Sequence, residues 1–501
     1  MEPLWRNPEL IRHARTEMRP VRMATAAGVS VFLCILLLLI FFHPGMDTTS
    51  TPRDLAAILY TLLASVQASV LCLWCLSSCS QAISSERSLK TFDFIRTTRL
   101  TCWELLLGMV FGVPLMAYFV VACTLPFTLA LGLYAGFSLF AITVTYLLLL
   151  LVAIVLSLAA LTISITTDRP RPGEVILLVI VIGFAAWATF VGFSAGSPFP
   201  GLTAILVVLG FPPLYNVAPG PFRPILTYVP FFNFMVPILF VSIFLYLSAG
   251  AWLLLILLRN LKKDREDIRY LSRWQAAGFA AYLNVLFWAL LDLRHMGTSF
   301  ASEISGVYLV LNFFLLYTVG LATLPPLGRL KFWRRLSASS PQFYYSEDGP
   351  PWPWMAASAI AAFLLFVLET VVARHFIPFS EWPVGAVAGI LSVVLVFAVR
   401  DVLFLQWCVV KGFQNPVVKG ILFLFLYYVA AFCFATFFLR SSLDWLTPLG
   451  SLGYPDTDSL LAIMFGLVLQ IAATICLLIA IRRHLTPPAG TSALISAATG
   501  S

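Results

Sequence analysis

From Ser138 to Thr167 the chain reads SLFAITVTYLLLLLVAIVLSLAALTISITT, a stretch without one charged side chain. As a helix it rises about 45 Å, more than the ~30 Å hydrocarbon core of a bilayer. A run this long and this apolar reads as a transmembrane helix. Eleven further segments meet or approach the same length, giving twelve expected spans: 24–42, 55–79, 104–131, 138–167, 174–195, 230–258, 276–293, 304–326, 354–376, 383–408, 416–439 and 459–481. The seventh is short, and the tenth ends in a charged stretch.

The basic residues order these spans. With the N-terminus inside, the cytoplasmic segments are 1–23, 80–103, 168–173, 259–275, 327–353, 400–419 and 482–501, and they carry 26 of the 31 Lys and Arg. A missed or extra span would scramble that alternation. The positive-inside rule therefore predicts an all-α polytopic membrane helix bundle of about twelve transmembrane helices, with both termini in the cytoplasm. The whole chain agrees. Of 501 residues 60% are hydrophobic and only 11% charged, and the mean hydropathy is +0.94. No soluble fold covers that much apolar surface, which excludes a soluble enzyme, a disordered chain and a secreted disulfide scaffold. The nine cysteines lie mostly within apolar runs and read as small hydrophobes; Cys72, Cys75 and Cys79 share a helical face, but no His or carboxylate joins them as a metal ligand.

The spans fall into two sets of six, 1–260 and 261–484, each preceded by a basic segment, with an expected flexible tail at 485–501. The first set opens on an expected interfacial elbow helix over 7–20. Asn7 can cap it and Pro8 suits its first position. Leu10, Ile11, Ala14 and Met18 share one face, while Arg12, Arg15 and Arg19 project elsewhere, toward lipid phosphates. The plainer reading is a basic topogenic flank; spacing and cap favour the helix.

The loop after the second span is the most informative. Over 84–97 a short helix is expected, capped by Ser84 or Ser85, with Glu86 and Lys90 paired at i,i+4 and Asp93 and Arg96 at i,i+3. Leu89, Phe92 and Ile95 would form its apolar stripe. Physically, a docking element for another protein and a plain surface connector are equally served.

Here a resemblance enters. Ile83, Ser84, Glu86 and Arg87, then Thr91, Phe92, Asp93 and Phe94, then Thr98, Leu100, Trp103 and Glu104 resemble the pattern in permease subunits of ATP-binding cassette (ABC) exporters of the type-2 class. The opening Asn7-Pro8-Glu9-Leu10 is similar to that family's start. Two positions depart: Lys90 stands where the family usually has Gly, and Arg99 where it often has Pro. The resemblance covers roughly 1–260. It implies that 7–20 is the elbow and 84–97 a coupling helix docking on an ATPase through Glu86, Arg87, Thr91, Phe92 and Asp93. It also implies two short half-helices in the proline-rich outer region 196–229, where the apolar segment Leu202 to Phe211 is half a span long; a plain outer loop is the alternative.

No Gly-x-x-x-x-Gly-Lys-(Ser/Thr) loop occurs, and the longest cytoplasmic loop is far too short for a nucleotide-binding domain. The expected chain is thus a transport subunit without catalytic groups or a cofactor of its own, in a bacterial inner membrane. Its expected partners are an ABC ATPase subunit that binds the ATP and membrane lipids, with a second permease chain left open. The basic, aromatic loop Arg329 to Pro353 is better read as a headgroup or protein contact than as a nucleic-acid site.

Two rivals remain. An ion-coupled secondary transporter needs carboxylates near mid-membrane. The candidates Glu369, Asp292 with Arg294 and His295, and Arg400 with Asp401 all read as boundary anchors or local pairs. A lipid-linked glycosyltransferase needs acidic residues poised in an outer loop; Asp47 and Asp54 in the loop 43–54 are the only early candidates, and no paired carboxylate follows the first span.

Overall fold

The computed structural model describes residues 6–41, 51–97, 99–166, 228–232, 234–263, 271–291, 300–322, 351–376, 384–411, 413, 416–434 and 460–485. Those residues form an all-α, polytopic membrane bundle, and eight of the described helices are long and apolar enough to cross a membrane. The expected span 174–195 and residues 196–227 of the expected outer region 196–229 lie outside the described residues; the end of that region and the start of the expected span 230–258 form a hairpin, and the helix begins only at Ile238. The chain divides into two compact units, Met1–Ile268 with Leu290–Asp292, and Arg269–Ala289 with Leu293–Ser501.

In the first unit the helices are α1 (Pro8–Glu17), α2 (Pro20–Phe41), α3 (Pro52–Ser88), α4 (Phe92–Thr97), α5 (Cys102–Gly112), α6 (Leu115–Tyr134), α7 (Leu139–Thr166) and α8 (Ile238–Asn260), the last preceded by a hairpin of β1 (Tyr228–Phe231) and β2 (Phe234–Pro237). Helix α3 is the hub. It packs on α6 and α7, α7 packs on α8, and α1 lies on α5. Leu76, Cys79, Ile83, Phe92, Leu105, Met109, Leu161, Ile165 and Leu257 form one buried cluster joining α3, α4, α5, α7 and α8. Between α3, α6 and α7 lies a polar thread: the Tyr146 hydroxyl donates to Gln67 Oε1 (2.5 Å), and Gln67 Nε2 donates to Thr124 Oγ1 (2.7 Å).

Two expectations of this half are revised. The third span is not one helix: Pro114 lacks the N–H that would have continued the ladder, so α5 stops at Gly112 and α6 starts at Leu115. Nor is there a helix over 84–97. Helix α3 runs on to Ser88, about 55 Å in all, because Ser84 and Ser85 do not cap. Ser84 is buried inside the helix, and the backbone N–H groups of Ile83 and Ser84 lie 3.0 and 3.1 Å from Ser164 Oγ. The helix ends in a Schellman motif, with Thr91 N bonded to Glu86 O and Lys90 N to Arg87 O, both at 3.0 Å. Lys90 occupies its left-handed position, φ 58°. That is a conformation glycine adopts without steric cost, and it is the site of the Lys-for-Gly departure.

The second unit contains α9 (Arg273–Ala289), α10 (Phe300–Ala322), α11 (Trp352–Phe376), α12 (Val384–Val410), α13 (Pro416–Phe434) and α14 (Leu460–Leu485). Helix α12 is central and packs on α10, α11, α13 and α14. Asn312 Nδ2 donates to Asn284 Oδ1 (2.8 Å), and Tyr308, Trp288 and Phe366 stack beside it. The tenth expected span, 383–408, matches α12; what is corrected is the place of Arg400 and Asp401, which lie near the middle of the apolar span Val387–Val410 and not at its cytoplasmic end.

Candidate functional site

The candidate site is the junction of the elbow with the end of α3. Helix α1 forms as its sequence demands: Asn7 Oδ1 accepts from Glu9 N (3.0 Å), and Pro8 occupies the first turn. Asn7 also donates to the carbonyl of Glu104 (2.6 Å), tying the cap to α5. Glu104 in turn completes a capping box with Thr101 at the start of α5. Two glycines one helical turn apart, Gly108 and Gly112, let α1 lie against the α5 backbone. A Cβ on Gly108 would stand 2.5 Å from Glu9 Cβ, and one on Gly112 would stand 3.0 Å from His13 Cβ.

This contact puts a carboxylate, not an apolar stripe, on the inner face of the elbow. Glu9 is 4% exposed. It accepts from Arg12 (2.6 Å) and stands 3.2 Å from His13 Nε2. Burial works to raise the Glu9 carboxyl, but the hydrogen bonds from His13 and Arg12 and the charge of Arg12 outweigh it, and the pKa is lowered. For Arg12, burial pulls downward, while Glu9 and Glu86 prevail and hold its guanidinium above the usual value.

Arg12 was expected at lipid phosphates. Its second nitrogen instead reaches Glu86 Oε1 at 2.8 Å, across 74 residues of sequence. Thr91 Oγ1 donates to the other Glu86 oxygen. Glu86 is thus held by Arg12 and Thr91, and not by Lys90, which has turned off the helix. Of the other elbow residues, Leu10 and Met18 are half-buried, Ile11 is 36% exposed, and Arg15 and Arg19 are exposed; Met18 caps the C-terminus of α1, and Pro20 begins α2 at once.

Arg87 points inward. Its Nη1 donates to the carbonyl of Ile165 (2.6 Å), and its guanidinium sits 5.1 Å over the Phe92 ring. Phe92 is 2% exposed, an anchor of α4 in the bundle core. Asp93 lies on α4, but its side chain, like those of Ile95 and Arg96, is outside the described residues. The expected stripe of Leu89, Phe92 and Ile95 therefore does not exist as one face, because the turn at Lys90 rotates α4 away from the register of α3. Among the described side chains here, the large apolar groups left outside are Leu89 (72% exposed) and Phe94 (76%). Phe94 is not among the residues expected to dock; its signal in the sequence is the turn-forming Lys90 position, which resets helical phase.

A second polar site lies in the other unit. Arg400 Nε and Nη2 donate to Asp401 Oδ1 at 2.8 and 2.5 Å. Asp401 Oδ2 accepts from the hydroxyls of Tyr317 (2.5 Å) and Tyr428. Arg400 also donates to Gln470 Oε1, and to Tyr428 at 2.9 Å. The rings of Phe397 and Tyr427 flank its guanidinium at 5.0 and 4.9 Å. Boundary anchoring does not describe this pair; local pairing does. Glu369 is half-buried in α11, and Asp54 is taken up by the Thr51 capping box of α3. Asp47, Asp292, Arg294 and His295 fall outside the described residues. Among the described residues no group of His, Cys, Asp and Glu is placed to hold a metal ion. No family model, curated protein or solved structure matches this chain.

Proposed function

We propose that the chain is the membrane-spanning permease subunit of an ABC exporter in a bacterial inner membrane, working with a separate ATPase. One observation carries this: two exposed apolar side chains, Leu89 at the end of α3 and Phe94 on α4, flank a turn that is keyed rigidly into the bundle. Phe92 anchors it in the core, Arg87 ties its base to α7, and Thr91, Glu86 and Arg12 link it to the elbow. An exposed phenyl ring on a braced element suits a partner that pushes, because movement of α4 passes to α3, α5 and α1 without slack. ATP closes the ATPase dimer, the docked tip moves, and the bundle responds. The permease supplies no catalytic group.

The test is co-purification with a Walker-motif ATPase from the native host. Phe94→Asp is expected to abolish that association while the permease stays folded. Glu86→Ala is expected to keep the association but uncouple ATP hydrolysis from transport. If both variants leave association and ATP-driven transport intact, the coupling assignment is wrong.

Ion-coupled transport is the second reading, favoured by the Arg400–Asp401 pair at mid-span depth. Against it, Asp401 already accepts from the guanidinium and two tyrosine hydroxyls, and a coupling carboxylate must release its partners each cycle. Transport abolished by an uncoupler but not by ATP depletion would reverse the preference.

A further inference from the structure

The hairpin ahead of α8 was not foreseen and has no part in the coupling scheme. Its strands pair antiparallel, Tyr228 opposite Pro237 and Phe231 opposite Phe234, across a turn at Phe232, which takes φ 50°. From Tyr228 to Ile238 there is no charged residue. Among its described side chains, those outside are large and apolar or aromatic: Tyr228 is 55% exposed, Phe232 44%, Phe234 71% and Met235 46%.

Its depth follows from α8. The far end of that helix is fixed at the coupling side, where Leu257 and Leu261 pack with Phe92 and the Lys262 ammonium donates to the carbonyl of Leu100. Twenty-three residues of helix separate that end from Ile238, about 34 Å, which is a full hydrocarbon thickness. The hairpin therefore stands at the opposite membrane face. Phe231 meets the Phe244 ring at 5.7 Å, and the exposed surface of the hairpin continues into Phe240, Phe244 and Leu247, the lipid-facing stripe of α8.

We propose that this hairpin is a lipid-binding element seated at the headgroup–acyl boundary of the leaflet opposite the coupling loop. Two physical limits bracket the position. A two-stranded hairpin is marginal in water, and exposing this much apolar surface there is unfavourable in proportion to its area. Deep in hydrocarbon the outer backbone groups of its two strands would go unpaired. The boundary region satisfies both, wetting the strand edges while burying the rings, and it is where tyrosine partitions. Without charge on the hairpin, the partner is the lipid surface itself and not an anionic headgroup. The inference rests on the membrane bundle alone and is independent of the ABC reading.

The experiment uses the full chain, with native cysteines replaced, reconstituted in phosphatidylcholine vesicles. Single cysteines at Phe234→Cys and, as a control, Phe94→Cys carry an environment-sensitive fluorophore. At position 234 the expected result is blue-shifted emission, quenched by lipids brominated near the carbonyl end of the acyl chain more than by those brominated near the chain end. Adding anionic lipid leaves this unchanged. Position 94 is expected to be quenched by aqueous iodide only. Iodide quenching at 234 like that at 94 overturns the proposal in favour of a solvent-exposed hairpin. Absence of quenching by either agent overturns it in favour of a cover supplied by protein.

Discussion

The Arg400–Asp401 pair allows a sharp test of how α10, α12, α13 and α14 are held together. Removing Asp401 leaves a guanidinium that cannot deprotonate in the middle of the bundle, and strips Tyr317 and Tyr428 of their acceptor. Breaking one side of a buried ion pair costs about 3–5 kcal/mol. Asp401→Leu should sit in that range, a large share of a total stability on the order of 5–15 kcal/mol. Arg400→Met differs in kind. It removes only the cation and leaves the Asp401 carboxylate its two tyrosine hydroxyl donors. That variant should therefore cost less stability than Asp401→Leu. The double variant Arg400→Met, Asp401→Leu carries no stranded charge and should be more stable than Asp401→Leu alone. It should not reach wild type, since Gln470 and the two tyrosines keep buried groups without partners, at about 1–3 kcal/mol each. The assay is reversible denaturation of the second unit in mixed micelles, followed by circular dichroism, with the three variants and wild type forming one thermodynamic cycle. Two results would refute the reasoning: an Asp401→Leu cost below about 1 kcal/mol, or a double variant as unstable as the sum of the singles.

Gly108→Ala places a methyl 2.5 Å from Glu9 Cβ and should cost about 1–3 kcal/mol of elbow docking, read as faster amide exchange in 8–17 with α3 unaffected. Lys90→Gly relieves a left-handed residue, φ 58°, and should leave stability unchanged or raise it by up to about 1 kcal/mol, whereas Lys90→Val should lower it, both measured by thermal unfolding. Because the Glu9 pKa is lowered on folding from 4.5, its contribution is present above pH 4.5 and is lost as pH falls through the folded value. Protection of the elbow should therefore decline in that acid window in wild type but not in Glu9→Gln, as followed by limited proteolysis at Arg12 and Arg15.

The membrane class, the bundle and the start of the elbow were legible in the sequence because they depend on short-range quantities. Hydropathy summed over some twenty residues decides whether a segment prefers lipid, and Asn7 and Pro8 act only on the turn they begin. The chemistry of the two polar sites was not legible. Arg400 and Asp401 look like the end of a span, since charge normally marks a boundary; α12 runs through them because Tyr317, Tyr428 and Gln470 arrive from three other helices, the farthest 84 residues away. Arg12 looks like a lipid-facing arginine until Glu86 comes to meet it from 74 residues on. Phe92 and Phe94 could exchange roles on any helical wheel. Only the turn at Lys90, set by where α4 must pack against α5 and α7, decides that Phe92 is buried and Phe94 is presented. Local pattern determines what each segment is; the pairing of charges and the phase of a short helix depend on partners distant in sequence, and only the folded bundle brings them together.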